Sequence, residues 1–243
     1  MNLGFKGYRQ SRQNGGHFIQ AILFPNFFRT CETDFMLLEL PNLDLPNNTP
    51  AKNELRKSLR AKRRNLTPHQ QKQASMGLCR QLSRLPEFIF GQRIAAYIPN
   101  DGEIDPQPLL ELAWRLGKEV YLPILHPFSK GRLLFMAHYP NQAMAKNRYG
   151  IPEPLCDHSA YCPVWTLDMV LTPLVGFDAA GNRMGMGGGF YDRTFAFLND
   201  GSRPRKPRMV GVAHECQKVT ELPSERWDIV MNKIVTGDAT YTS

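Results

Sequence analysis

The stretch from Arg183 to Arg193, Arg-Met-Gly-Met-Gly-Gly-Gly-Phe-Tyr-Asp-Arg, concentrates the residues that could do chemistry. Four of the five positions from Gly185 to Gly189 are glycine, so backbone amides can approach a ligand closely and adopt positive φ. Such amides form nests for phosphate oxygens, aided here by a helix expected to begin near Phe190. A flexible surface loop is the alternative, but plain linkers lack the flanking arginines, tyrosine and aspartate. The run therefore predicts a phosphate-binding loop.

Three common motifs do not fit this chain. A P-loop requires G-x-x-x-x-G-K-[ST], and no Lys-Ser or Lys-Thr follows these glycines. The dinucleotide fingerprint G-x-G-x-x-G fails because Phe190 stands where its last glycine would be. The serine-hydrolase elbow G-x-S-x-G is also absent. By motif, the chain is neither a P-loop NTPase nor a Rossmann dehydrogenase.

Asp192 follows the glycines closely and indicates a metal ion. A carboxylate beside bound phosphate would repel it unless a cation lay between the two groups. Mg²⁺ is the usual mediator, because it binds one or two carboxylates together with phosphate oxygens and water. Asp228, in Trp227-Asp-Ile-Val230, is a candidate for the second carboxylate. A helix cap or a surface charge is the alternative for either aspartate.

Positive charge is concentrated between Lys52 and Arg64, where seven basic residues are opposed only by Glu54. A concentrated positive face attracts an anion such as nucleic acid, phosphate or a polycarboxylate. A solvated helix face is the alternative. A nucleic-acid interface is disfavoured, because the run has no interleaved aromatic residues for base stacking and the chain has no recognised nucleic-acid module.

The composition is that of an ordinary globular protein, with 42% hydrophobic and 21% charged residues. No apolar run approaches the roughly 18 residues that a membrane-spanning helix needs. The five cysteines contain no C-x-x-C pair, and the six histidines fall in no zinc-ligand spacing. Reduced thiols fit this pattern best, so we expect a cytoplasmic protein that needs no membrane.

The elements that must position these residues follow from hydrophobic patterns and from helix start and stop signals. Thr67 and Pro68 begin one helix, while Asp105 and Pro106 begin another that Gly117 ends. Helices are predicted at residues 53–64, 68–85 and 106–115. Strands are predicted at residues 93–98, 119–124, 132–137, 168–172 and 208–213, with the strand at 132–137 lying at an edge.

Continuous apolar strands that alternate with helices indicate a three-layer α/β fold, in which helices cover both faces of a mostly parallel sheet. Ligands of such sheets bind beyond the carboxyl ends of the strands, and the candidate residues follow the apolar runs. We expect one domain at residues 50–243. Residues 1–49 weakly resemble a secretory signal but lack a cleavage site, so we expect a poorly ordered extension.

The glycine run resembles the signature of the 5-formyltetrahydrofolate cyclo-ligase family, R-[LI]-G-x-G-x-G-[YF]-Y-D-R. Four further segments resemble that family in the same order, and the likeness covers about residues 52–236. These segments are Lys52–Arg56 (Lys-Asn-Glu-Leu-Arg), Ile98–Asp105 (Ile-Pro-Asn-Asp-Gly-Glu-Ile-Asp), Tyr149–Pro154 (Tyr-Gly-Ile-Pro-Glu-Pro) and Asp168–Pro173 (Asp-Met-Val-Leu-Thr-Pro).

The resemblance implies a fold like that of NagB, RpiA and the coenzyme A transferases. It also implies an enzyme that uses ATP and Mg²⁺ to convert 5-formyltetrahydrofolate into 5,10-methenyltetrahydrofolate, ADP and phosphate. The substrate could carry a polyglutamate tail, and the protein would act as a monomer without nucleic acid. The chemistry would phosphorylate the formyl oxygen, a poor leaving group, before N10 closes the ring.

Residue roles carried over from the resemblance fall into three groups. Catalysis would depend on Lys52, Arg56 and Arg183, which would also contact ATP together with Met184, Gly185, Met186, Gly187, Gly188, Gly189, Phe190 and Tyr191. The folate would contact Ile98, Glu103, Tyr149, Met186, Gly187, Gly188, Gly189 and Phe190. Asp192 and Asp228 would hold Mg²⁺.

This sequence departs from the family pattern in two places. Many relatives carry lysine or arginine where Met186 and Gly188 stand, and some carry tryptophan in place of Tyr149. A catalytically inactive relative that binds folate therefore stays an alternative. A sugar-phosphate isomerase or a coenzyme A transferase would share the fold, but an isomerase has no need of a metal-binding aspartate beside an ATP loop.

Overall fold

The computed structural model describes residues 50–155, 160–199, 207–222, 229 and 231–242. The extension expected at residues 1–49 and the metal ligand expected at Asp228 lie outside the described residues. The described α-helices are α1 (Pro50–Arg64), α2 (Pro68–Leu82), α3 (Pro86–Phe90), α4 (Gln107–Arg115) and α5 (Phe190–Thr194). The strands are β1 (Arg93–Ala95), β2 (Glu119–Leu125), β3 (Leu133–Ala137), β4 (Met144–Lys146), β5 (Pro152–Pro154), β6 (Tyr161–Cys162), β7 (Met169–Pro173), β8 (Gly176–Phe177), β9 (Arg183–Met184), β10 (Arg208–Val212), β11 (Lys233–Val235) and β12 (Thr240–Thr242).

The main sheet has the strand order β12-β11-β10-β7-β1-β2-β3-β6. Its five central strands, from β11 to β2, run parallel, whereas β12, β3 and β6 are antiparallel to their neighbours. The mostly parallel sheet is thus confirmed. The expected edge position of β3 is wrong, because β6 pairs with its outer side through Phe135 and Cys162.

Helices cover both faces of this sheet, as the continuous apolar strands predicted. Along β7, Met169 and Leu171 pack into one core cluster and Val170 packs into the other. Side chains of α2 and α4 complete the first cluster, and aromatic residues that follow α5 complete the second. Each buried leucine or valine contributes about 1.5–3 kcal/mol to this packing.

Several helix boundaries follow the sequence signals. Thr67 caps α2 through a capping box, in which Gln70 N donates to Thr67 Oγ1 at 3.3 Å and Thr67 N donates to Gln70 Oε1 at 2.9 Å. However, α2 ends at Leu82, and Pro86 begins α3 instead of only ending the preceding helix. This is consistent with the preference of proline for the first helical turn.

The position of the site follows from a reversal in strand order. β1 pairs with β2 on one side and with β7 on the other, although β7 is much later in the chain. The loops that leave β1 and β7 therefore diverge at the carboxyl edge of the sheet, which opens a crevice there. Two hairpins that the sequence did not predict, β4–β5 and β8–β9, lie outside the main sheet.

Candidate active site

A cavity of ≈ 570 Å³ is lined by residues that end or follow β1, β2 and β7. Every predicted site residue that the structure describes lines this cavity, namely Lys52, Arg56, Ile98, Glu103, Tyr149 and residues 183–192. These residues come from segments that are far apart in sequence, and the fold brings them together. Their individual roles stay predictions.

The glycine loop has the backbone conformation that its composition predicted. Gly187 and Gly189 adopt φ of +89° and +60°, values that side-chain-bearing residues rarely adopt. Gly189 immediately precedes α5, which begins at Phe190 as expected but is only five residues long. The phosphate-binding potential therefore comes from the loop amides more than from a helix dipole.

Arg56 connects helix α1 to this loop. Its Nε donates to the carbonyl oxygen of Gly185 at 3.1 Å, and its Nη1 donates to Asn53 Oδ1 at 2.9 Å. Burial lowers the pKa of Arg56, but a guanidinium remains charged at physiological pH. A positive charge is thus held directly against the glycine-loop backbone.

Asp192 is held in place by Arg183 and by the backbone of Ile229. Arg183 donates through Nη2 to Asp192 Oδ1 and through Nη1 to the carbonyl oxygen of Ile229. The N–H of Ile229 donates to the same Asp192 oxygen at 3.3 Å. Both of these contacts to Asp192 are made through Oδ1, and carboxylate oxygens are the ligands that a hard cation prefers.

The ligands that this site offers fit Mg²⁺ better than a metal ion that is coordinated by protein side chains alone. Within the described ranges, no group of three or more His, Cys, Asp or Glu side chains could hold a metal ion. Mg²⁺ binds through one or two carboxylates and keeps phosphate oxygens and waters as its other ligands. Asp192 beside a loop suited to phosphate meets that requirement.

A largely buried carboxylate, Glu103, also lines the cavity. Burial raises its pKa, and the neighbouring Arg63 guanidinium, 3.6 Å away, partly offsets this effect. Glu103 Oε2 accepts a hydrogen bond from the N–H of Asn100 at 3.1 Å. Arg63 and Asn100 therefore orient a carboxylate that can accept hydrogen bonds from a ligand.

The second half of α1 serves the protein interior. Asp101 accepts hydrogen bonds from Arg60 Nε at 2.7 Å and from Arg63 Nη2 at 3.1 Å, and Arg64 contacts its other oxygen. Burial alone would raise the pKa of Asp101, but these guanidinium contacts lower it overall. These three arginines therefore make ion pairs within the protein, and attraction of a ligand by this part of the basic run stays a prediction.

Aromatic side chains form one wall of the cavity. Tyr149 and Phe190 make an edge-to-face contact with ring centroids 6.1 Å apart. Arg148 lies over the Tyr149 ring at 5.0 Å from the centroid. The Tyr191 side chain also lines the cavity, and burial together with the charge of Glu103 raises its pKa, so its hydroxyl stays neutral.

The 5-formyltetrahydrofolate cyclo-ligase family model matches residues 48–237 of this chain. The chain belongs to this family. It is 44% identical over 178 residues to the 5-formyltetrahydrofolate cyclo-ligase of Escherichia coli strain K12, covering 73% of this chain and 96% of the relative. It is 42% identical over 191 residues to the Haemophilus influenzae protein of the same name, covering 78% of this chain and all of the relative.

A solved structure confirms the fold of this family member. The NMR structure of Aquifex aeolicus 5,10-methenyltetrahydrofolate synthetase superposes with a TM-score of 0.65 and 31% sequence identity, covering 79% of this chain and 92% of the other. The mostly parallel sheet flanked by helices is therefore the family architecture, and the chain is an enzyme of the cyclo-ligase family. None of the helices in the described ranges has the length and apolar character to cross a membrane.

The cavity-lining residues that were not predicted include Asn147, Glu153 and Thr172. Glu153 and Thr172 lie inside segments that resemble the family. Their polar side chains in those segments were the signal that could have identified them. Thr172 is buried, and its hydroxyl has no hydrogen-bond partner among the described residues. Asn147 precedes its segment and carries no signal in the sequence.

Proposed function

We propose that this enzyme converts 5-formyltetrahydrofolate and ATP into 5,10-methenyltetrahydrofolate, ADP and phosphate, with Mg²⁺ as the required metal ion. One observation carries the proposal: the predicted residues that the structure describes line a single cavity, which combines cations and a glycine loop with a carboxylate and an aromatic ring. The cations and the glycine loop suit a polyphosphate, and the carboxylate and the ring suit a flat heterocycle with N–H donors.

The triphosphate would lie against the glycine loop, with Lys52, Arg56 and Arg183 as its cationic contacts. Phosphoryl transfer depends mainly on positioning and on neutralising charge in the transition state. Arg56 already lies against the backbone of the loop, which supports a role beside the phosphates. Lys52 lies one helical turn earlier on α1 and lines the same cavity.

Asp192 would hold Mg²⁺, with Asp228 as the second proposed carboxylate. When bound, the ion neutralises charge on the phosphate oxygens and helps to orient the transferred phosphoryl group. Arg183 restrains Oδ1 of the Asp192 carboxylate, and Oδ2 would be the oxygen that binds the cation.

The folate ring would be held by Glu103 and Tyr149, with Ile98 as an apolar contact. Glu103 would accept hydrogen bonds from the amino and ring N–H groups of the pterin, while Arg63 stabilises its charged form. Tyr149 would present its ring to the flat heterocycle. Residues 186–190 line the same cavity and would border both ligands.

The reaction needs activation of the formyl oxygen, because that oxygen is a poor leaving group. The formyl oxygen would attack the γ-phosphorus of ATP, and ADP would leave. N10 would then attack the activated carbon, and loss of the N10 proton and of phosphate would complete the ring. The residues of this chain would bind, orient and neutralise charge, and no side chain need act as a nucleophile.

The cellular setting is part of the same proposal. Cys79, Cys162 and Cys216 are free thiols, which suits a reducing cytoplasm. The enzyme would act as a monomer, on folate with or without a polyglutamate tail.

The test is a direct assay with 5-formyltetrahydrofolate and MgATP, followed by the near-ultraviolet absorbance of the methenyl product. Absorbance should increase only with ATP present, and Asp192→Asn should abolish the increase while the protein remains folded. A folded wild-type protein that binds folate without turnover would support the inactive relative. Failure to bind either ligand would contradict the assignment of the site.

A further inference from the structure

Glu153 lines the cavity and connects two elements of the fold. It lies on β5, and its Oε1 atom accepts two hydrogen bonds. One comes from the backbone N–H of Leu125, the last residue of β2, at 3.1 Å, and the other from the side-chain amide of Asn147 at 2.7 Å. One carboxylate oxygen therefore joins the end of a central strand to the β4–β5 hairpin.

Asn147 passes this restraint to the turn of the hairpin. Its Oδ1 accepts hydrogen bonds from the N–H groups of Tyr149 at 2.8 Å and Ile151 at 3.1 Å. Its backbone N–H donates to the carbonyl oxygen of Ile151 at 2.9 Å, and the chain between them turns through Gly150 at φ +76°. The side chain and backbone of Asn147 thus define the conformation of the turn that carries Tyr149.

Tyr149 depends on this turn for its position. Its side chain is 55% exposed, so core packing does not hold it as it would a buried ring. It meets the cavity through its edge-to-face contact with Phe190, the first residue of α5. A shift of the turn would therefore change the cavity wall without disturbing the core.

We infer that Glu153 and Asn147 form a latch that positions Tyr149 for binding of the folate substrate. The inference rests on the proposed function, because the contact of Tyr149 with folate comes from that proposal. Glu153 acts here as a positioning residue through Asn147. The competing role for Glu153 is direct contact with the substrate through its other carboxylate oxygen, and the two roles predict different kinetics.

An exchange of donor and acceptor tests the link between the two side chains. Asn147→Asp keeps the acceptor for the turn but places two carboxylates together, so KM for 5-formyltetrahydrofolate should rise about tenfold while KM for ATP stays the same. Glu153→Gln keeps the side-chain oxygen that accepts both hydrogen bonds, so KM for 5-formyltetrahydrofolate should change little. Combining both substitutions supplies an amide donor to the new carboxylate and should return KM to within about threefold of wild type.

A second double-mutant cycle, between Tyr149 and Glu153, tests whether the latch acts through Tyr149. Tyr149→Ala should raise KM for 5-formyltetrahydrofolate, and adding Glu153→Met should raise it no further. If Glu153 bound the substrate directly, the two increases would multiply, which would overturn the inference. Asn141→Asp adds a charge at an exposed position and should leave KM unchanged.

The outcomes separate the inference from the proposed function. Wild-type protein without methenyl product would contradict the function itself. Two results alongside normal wild-type turnover would contradict only the latch. One is no recovery of KM when Asn147→Asp and Glu153→Gln are combined. The other is KM increases that multiply when Tyr149→Ala and Glu153→Met are combined. If Asn147→Asp failed to fold by circular dichroism, the Glu153→Met cycle with Tyr149→Ala would decide alone.

Discussion

The two halves of helix α1 carry the same kind of charge and use it differently. In the first half, Arg56 lies against the glycine loop and Lys52 lines the same cavity. In the second half, Arg60, Arg63 and Arg64 surround the carboxylate of Asp101. The first half presents charge to a ligand site, whereas the second half uses its charge to fix a loop.

The difference shows that basic residues of one helix can serve ligand binding at one end and internal ion pairs at the other. Lys52, Arg56 and Arg60 recur every four residues and so lie on one side of the helix. Because an α-helix rises about 1.5 Å per residue, Lys52 and Arg63 are separated by about 16 Å along its axis. Successive cations therefore meet different groups: Arg56 meets the glycine loop, and Arg63 meets Asp101.

The largest expected effect is on folding, from Arg63→Met. Arg63 is fully buried and donates to the carbonyl oxygens of Asp101 and Leu174 as well as to carboxylates. Removing it takes from Glu103 its arginine partner and from Asp101 one of three, and it leaves two backbone carbonyl oxygens without this donor, so the free energy of unfolding should fall by about 3–5 kcal/mol. Urea denaturation measures this loss. A change below about 1 kcal/mol would show that the second half of α1 is not structural.

The next effect is on activity, from Arg56→Ala. Loss of a cation beside the glycine loop should reduce kcat/KM about 100-fold, equivalent to about 2.7 kcal/mol of transition-state stabilisation. The free energy of unfolding should change little, because Arg56 is only partly buried. Lys57→Ala, at the next and exposed position, is the matched control and should keep wild-type activity. Equal losses of kcat/KM in both variants would contradict the specific role of Arg56 beside the glycine loop.

Stability should respond to pH through Asp101. Its pKa is lowered in the folded protein, so its stabilising contribution is present above the ordinary carboxyl pKa of about 4. That contribution should be lost as the pH falls from about 4 through the lowered pKa, because the unfolded state then binds the proton more readily. The stability difference between wild type and Asp101→Asn, measured by urea denaturation at several pH values, should narrow in this range. A constant difference would contradict the assigned ion pairs.

The smallest effect is expected from Arg64→Ala. The Arg64 side chain is 52% exposed, and water screens its contact with Asp101. The free energy of unfolding should fall by less than about 1 kcal/mol, and kcat/KM should stay at the wild-type value. A thermal melt and the standard assay check both expectations. A loss of unfolding free energy as large as that of Arg63→Met would show that burial does not determine how much each arginine contributes to stability.

Much of the fold could be predicted because its signals are local. The apolar runs predicted strands β1, β2, β3, β7 and β10, and the capping residues predicted where α2 and α4 begin. The strands β11 and β12 were missed because each has only three residues and polar neighbours, whereas the apolar run of β1 continues beyond the strand to Ile98. The hairpins β4–β5 and β8–β9 were missed for the same reason.

The candidate site was only partly accessible from sequence. The glycine loop, Arg56 and Glu103 lie in segments that resemble a known family, so they could be named before the structure. The role of Asn147 and the ion pairs of Arg63 within the protein could not be predicted from the sequence. Their partners are identified only by distance in the structure. The Arg63 contact with Asp101, for instance, joins residues 38 positions apart.

The sequence alone determined what depends on neighbouring residues: the glycine loop with its positive φ angles, the start of α5 at Phe190 and the alternation of strands and helices. Tertiary structure decided which charges face a ligand and which are neutralised inside, and how the turn that carries Tyr149 is held against β2. The physical reason is that backbone conformation is set largely by local sterics. The partner of a charge is set by distance in space, as where Arg56 meets the carbonyl of Gly185, 129 residues later.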